Sequence, residues 1–141
     1  MAARTWLTLS WRDRALLAEA MALVASASLA VAILPFKRVA AIAAGAPGKD
    51  DAPPRSVRRI RWAVDAAARR SPWRALCIEQ GLAAQAMLRR RGYKAALHYG
   101  VKRDAEGELA AHVWVRSGPL DVVGCENADD YRLLAVFGAE S

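Results

Sequence analysis

The chain holds two cysteines, Cys77 and Cys125, and two histidines, His98 and His112, so every thiol or imidazole site it can build is quickly enumerated. A thiol nucleophile needs a stabilised thiolate, a base, and usually a third group that orients the base. Cys77 falls at or near the start of a helix read over Leu76–Arg91. Free N–H groups and the positive end of the helix dipole gather there, and both favour thiolate. Position alone does not assign it, because most lone cysteines in alanine-rich helices are small core residues. His112 changes the balance. It lies in LAAHVWVR (109–116), whose alternation reads as a strand with His112, Trp114 and Arg116 on one face. PLDVV (119–123) reads as the next strand. A two-residue loop at Ser117-Gly118 would pair 116 with 119 and 114 with 121. Asp121 then sits diagonally from His112 on the same face, with Cβ atoms about 7–8 Å apart or somewhat less. If the helix bearing Cys77 packs on that face, Cys77, His112 and Asp121 assemble. The thiolate would attack a carbonyl, the imidazolium would protonate the leaving amine, and the aspartate would fix the histidine tautomer. His98 is the competing base and Glu126 the competing carboxylate. Cys125 follows Gly124 in a loop with no histidine at hand and reads as structural. The two Cys and two His lack any usual zinc spacing, so neither metal nor cofactor is expected.

The elements that must position these residues follow from periodicity. In RSVRRIRWAVDAAARR, Ile60, Val64 and Ala67 recur at helical spacing, an apolar stripe. Arg55, Arg58, Arg59, Arg61, Arg69 and Arg70 crowd the remaining surface, either as a solvated face or as a docking surface for an acidic peptide or protein. No nucleic-acid motif accompanies them, so nucleic acid is not expected as a partner. In the next helix Cys77, Gly81, Ala84 and Leu88 share one face, and the small Gly81 and Ala84 permit close packing. Arg89 to Arg91 suit the negative end of that helix, and Gly92 is the natural C′ residue. KAALHYGV (94–101) reads as a strand, followed by a polar turn. Helices followed by at least three antiparallel strands make an α+β chain.

The N-terminal part is different in character. The chain has 141 residues and a net charge of +7. Residues 1–70 carry 12 basic and 5 acidic side chains, whereas residues 71–141 carry 9 of each. All the excess positive charge is therefore in the first half. No charge occurs from Ala20 to Phe36, a run of 17 residues that includes Ser26 and Ser28. That is borderline for a membrane span, which needs about 20 apolar residues. A buried helix of a soluble, cytoplasmic protein is the leading reading, and a helix touching membrane through residues 15–36 is its rival. AIAAGA mimics a signal-cleavage site, but Lys37 and Arg38 precede it and argue against a signal peptide. Pro35 ends or kinks the helix, and GAPGKDDAPP (45–54) reads as a linker. The organisation expected is a helical region and linker over 1–54 and a core over 55–141.

The stretch SPWRALCIEQGLAAQAMLRRRGYKAALHYGVKRDAEGELAAHVWV resembles the transglutaminase-like core of lasso peptide B proteins. Three pieces carry the likeness: PW-R-x-L-C leading into a Gln-Gly-Leu-Ala helix, L-R-R-R-G closing it, and G-V-x-(polar)-A-H-V-W-V holding the histidine. The basic helix with Arg58 and Arg59, and the L-P-F segment before it, are similar to the short, stand-alone (B2) form. The resemblance implies a papain-like cysteine peptidase that cuts the leader from a ribosomally made precursor peptide. It implies Cys77 as nucleophile and His112 as base. Family members often place the aspartate a dozen positions after the histidine. That position here is Gly124, and Asp121 is the nearest aspartate. Trp73, Arg58, Arg59 and Trp114 are the candidate substrate- or partner-binding residues. The partners implied are the precursor peptide, a separate leader-recognition (RRE, B1-type) protein, and a lasso cyclase resembling asparagine synthetase. A transglutaminase-like acyl transferase and a non-catalytic membrane-associated scaffold are the alternatives.

Overall fold

Ser10 starts the first helix by accepting a hydrogen bond from the Asp13 amide at 3.2 Å, which satisfies one of the free N–H groups of the first turn. The computed structural model describes residues 8–45, 48–71 and 77–138. Among the described residues, four α-helices precede the sheet: α1 (Trp11–Ile33), α2 (Phe36–Ala43), α3 (Pro54–Arg70) and α4 (Cys77–Arg90). The strands are β1 (Ala96–Arg103), β2 (Leu109–Ser117), β3 (Leu120–Val123) and β4 (Arg132–Phe137). All pairings are antiparallel, in the order β3-β2-β1-β4. This is an α+β arrangement, with the helix that bears Cys77 preceding the sheet.

Leu17, Ala20 and Val24 of α1 are buried in one core with Ile60, Val64 and Ala67 of α3 and Ala84, Met87 and Leu88 of α4. The helical region and the later core thus share one interior. Helix α1 is long and apolar enough to cross a membrane, yet it also contributes these core residues. Polar contacts fix the helices to one another. Asp13 of α1 meets Arg59 of α3 at 3.0 Å. Glu19 of α1 meets Arg91 at 2.7 Å and Arg90 at 3.0 Å. Gln85 is fully enclosed and donates to the carbonyls of Ala43 at 3.0 Å and Ala95 at 3.2 Å, joining α2 to the start of β1.

Helix α4 lies against β1 and β2 at its small residues. A Cβ added at Gly81 would stand 2.8 Å from Val113 Cγ1 and 3.6 Å from Leu97 Cδ1. The face covered by α4 therefore carries Leu97, Val113 and Val115. By alternation, His112, Trp114 and Arg116 point to the other face. The condition for a face-on assembly, α4 on the histidine's side of the sheet, is therefore not met.

The β2–β3 hairpin also departs from the register read from sequence. Ser117 pairs with Leu120 and Arg116 with Asp121, after which the register shifts and Val115 pairs with Val123. The loop is Gly118-Pro119, one residue later than expected. Gly118 supplies a positive φ of 56° there, as a tight hairpin turn requires. The shift leaves Val122 without an opposite residue, a β-bulge. Two adjacent valines, Val122 and Val123, are buried as a result.

Candidate active site

Cys77 opens α4, and His112 lies on β2 next to Val113. Both line a cavity of about 590 Å³, together with Arg58, Arg61, Trp62 and Asp65 of α3, Gln80 of α4, and Val123, Gly124 and Glu126 beyond the bulge. The cysteine and the histidine share this cavity although α4 covers the opposite face of the sheet. Strand β3 stops at Val123, so on its β3 side β2 is bordered by a loop where His112 stands, while Gly100 of β1 pairs with it on the other.

The His112 imidazole is held on several sides. Its Nε2 is 2.7 Å from the carbonyl oxygen of Gly124. A carbonyl only accepts, so Nε2 carries the proton and the neutral ring keeps its lone pair on Nδ1. Tyr131 stacks on the ring with centroids 4.9 Å apart, and Trp114 stacks at 5.8 Å. Lys102 Nζ lies 4.7 Å from the Tyr131 ring centre. Trp114 is itself sandwiched, with His98 stacked 5.5 Å away. Gly100 makes room for it, because a Cβ there would be 2.9 Å from Trp114 Cη2.

Asp121 does not reach this imidazole nitrogen. Its carboxylate meets Arg116 Nε at 3.0 Å across the hairpin, the partner that the observed register assigns to it. The side chain faces a second cavity of about 430 Å³, which it lines with Trp114, Arg116 and Cys125. Glu126, the alternative carboxylate, lines the Cys77 cavity instead.

The remaining candidates separate. Arg58 is exposed and lines the Cys77 cavity, whereas Arg59 is committed to Asp13. Trp114 packs between the two imidazoles and is not among the residues lining that cavity. His98, the competing base, lies on the far side of Trp114, where burial pushes its pKa down. Trp73 lies outside the described residues. The Cys125 thiol is 3.4 Å from the carbonyl of Val115 and 3.5 Å from that of Val123. Burial, with Asp121 nearby, pushes its pKa up to about 11.

The model of the transglutaminase-like superfamily matches residues 20–136. The chain belongs to that superfamily. The match runs from within α1 into β4, so this transglutaminase-like chain uses α1 as part of the family unit. The superfamily suggests cysteine-dependent chemistry of the peptidase or acyl-transfer type. No curated protein and no solved structure matches the chain.

Sequence reasoning missed Arg61, Trp62, Gly124 and Tyr131 as site residues. Arg61 and Trp62 fall outside the apolar stripe of a basic helix and carry no spacing relative to Cys77. Gly124 acts through its carbonyl, which has no signature in side-chain type. Tyr131 arrives from a turn after the bulge. Its only signal was an aromatic residue just beyond a run of acidic ones.

Proposed function

We propose that the chain is a cysteine peptidase that removes the leader from a ribosomally made precursor peptide. Cys77 is the nucleophile and His112 the base. The observation that supports this most directly is the shared cavity. A cysteine at a helix start and an imidazole with its Nδ1 lone pair free line one cleft of about 590 Å³. His112 would take the thiol proton, and the thiolate would add to the scissile carbonyl. Collapse of the tetrahedral adduct would expel the amine, which takes the proton from the imidazolium, and leave a thioester on Cys77. Water, deprotonated by His112, would then release the acid and restore the thiol. The resemblance to lasso peptide B proteins supplies the substrate class. The same resemblance supplies the partners: a separate leader-recognition protein, and a cyclase acting on the freed core.

The test combines purified chain, precursor peptide and candidate leader-recognition protein, read by mass spectrometry. Cleavage at one leader–core junction, lost in Cys77→Ala and in His112→Ala, is the expected result. Substantial cleavage by pure Cys77→Ala sinks the assignment. Adding hydroxylamine or a primary amine separates water from amine as the acyl acceptor. Dominant amide product at modest amine concentration would make the chain an acyl transferase instead.

A further inference from the structure

We propose that the imidazole of His112 is oriented by a backbone carbonyl, that of Gly124, and that Arg61 is the positioning residue that holds this carbonyl in place. This rests on the reading of His112 as the base for Cys77. Three observations carry it.

The first is the contact itself, Nε2 to the Gly124 oxygen at 2.7 Å. This is the position a tautomer-fixing acceptor must occupy when Nδ1 is the working nitrogen. The second is that the backbone there tolerates only glycine. Gly124 has a φ of 74°, and a Cβ would stand 2.7 Å from the Val113 carbonyl oxygen and 3.3 Å from His112 Nε2. A side chain of any kind, a carboxylate included, has no room at this position, so the acceptor is the main chain. The third is what holds the main chain. Arg61 reaches from α3 and donates from Nε to the Val122 carbonyl at 2.8 Å, and from a terminal nitrogen to the Asp121 carbonyl. Val122 is the bulged residue, two positions before Gly124, and has no opposite residue on β2. The guanidinium thus clamps the one irregular stretch of β3 from outside the sheet, where the ladder cannot. The Asp121 side chain is engaged elsewhere, with Arg116.

The consequence differs from that of a triad with a carboxylate. A neutral carbonyl fixes the tautomer and the ring plane but adds no negative charge to stabilise imidazolium. Loosening the clamp therefore acts on the orientation of the imidazole beside Cys77, and so on the reactivity of the thiol.

The test reads this without any peptide substrate. The rate of Cys77 carbamidomethylation by iodoacetamide is followed against pH by peptide mapping. The His112 Nε2–H signal is followed by NMR with ¹⁵N-labelled histidine. Wild type, Asp121→Asn, Arg61→Gln and Arg61→Lys are compared, with circular dichroism as the check on folding. Asp121→Asn is expected to match wild type within about twofold, as substitutions at exposed ion pairs usually do, and to keep the Nε2–H signal. Arg61→Gln is expected to lower the rate near pH 7 about tenfold, the scale of a lost charge-assisted hydrogen bond. It should also displace the Nε2–H signal. Arg61→Lys, which keeps one donor for Val122, falls between. Loss of neutral-pH reactivity or of the Nε2–H signal in Asp121→Asn overturns the proposal, as does wild-type behaviour in Arg61→Gln. If Arg61→Gln does not fold, Asp121→Asn and Arg61→Lys still decide. The peptidase reading fails on a different result, cleavage that survives removal of the Cys77 thiol.

Discussion

The Cys125 thiol lies 3.4 Å from the carbonyl oxygen of Val115, one residue beyond the aromatic stack that supports His112. Burial and the nearby Asp121 carboxylate hold this thiol protonated, with a pKa of about 11. At pH 8 about one molecule in a thousand would then carry the Cys125 thiolate. Cys77 instead lines the open cavity beside His112. Brief iodoacetamide treatment of folded protein near neutral pH should therefore modify Cys77 and spare Cys125. Cys125→Ser should retain peptidase activity. Preferential labelling of Cys125 would reverse the assignment of the two thiols.

Glu19 gives the fold a defined response to acid. Its carboxyl pKa is held below the ordinary 4.5, chiefly by the hydrogen bond from Arg91, with Arg90 adding to it. A carboxylate whose folded pKa is depressed contributes stability above its unfolded pKa. That contribution is lost as the pH falls through the folded value. Glu19→Gln should lower the free energy of urea unfolding at pH 7 by about 1 kcal/mol, the upper range for a partly exposed pair. The gap between variant and wild type should narrow as the pH drops below 4.5. An equal gap at pH 7 and pH 3 would show that the α1–α4 junction does not depend on this charge.

The approach of α4 to the sheet sets a limit on residue 81. Alanine there would gain about 1 kcal/mol of helix propensity over glycine. Its Cβ, however, would stand 2.8 Å from Val113 Cγ1, and overpacking of this kind costs about 1–3 kcal/mol. Gly81→Ala should be destabilising on balance, and less so in a Val113→Ala background, where Cγ1 is absent. A double-mutant cycle in urea measures the coupling. Additive effects would show that α4 shifts freely off β2.

Much of the scaffold was legible because helix stripes and caps are side-chain patterns. The stripe of Ile60, Val64 and Ala67 is buried. Gly92 closes α4 at a φ of 79°, while the Tyr93 amide bonds the Leu88 carbonyl at 3.0 Å, as a C′ glycine implies. Strands β1 and β2 followed from alternation. Strand β4 did not, because RLLAVF lacks alternation and leaves Leu133 and Leu134 exposed at the sheet edge. Cys77 and His112 were nameable as candidates from residue type, but the cavity they share was not. It depends on where β3 stops and on a bulge at Val122, and bulges have no compositional mark. A turn one residue later than Ser117-Gly118 was enough to turn Asp121 toward Arg116.

Arg58 and Arg59 are neighbours in sequence with separate roles in the fold, and charge reversal should separate them. Arg59 is held 3.0 Å from Asp13, whose side chain is only 15% exposed. Arg59→Glu would set two carboxylates against each other at the α1–α3 contact, and should lower stability by about 1–2 kcal/mol, while a reversal at an exposed position away from such a contact stays within about 0.5 kcal/mol. Arg58 is exposed at the mouth of the Cys77 cavity, one helical turn before Arg61. Arg58→Glu should leave the urea midpoint nearly unchanged and slow cleavage of the precursor. The effect should be largest when the proposed leader-recognition protein is added, because a leader tethered by it would spend its time near this rim. Exposed charges are screened over about 10 Å at 0.1 M salt. The gap in rate between wild type and Arg58→Glu should therefore close as salt rises, while the stability gap of Arg59→Glu closes less. Equal cleavage rates for wild type and Arg58→Glu at low salt, with partner and without, would make this arginine part of a solvated face with no share in recognition.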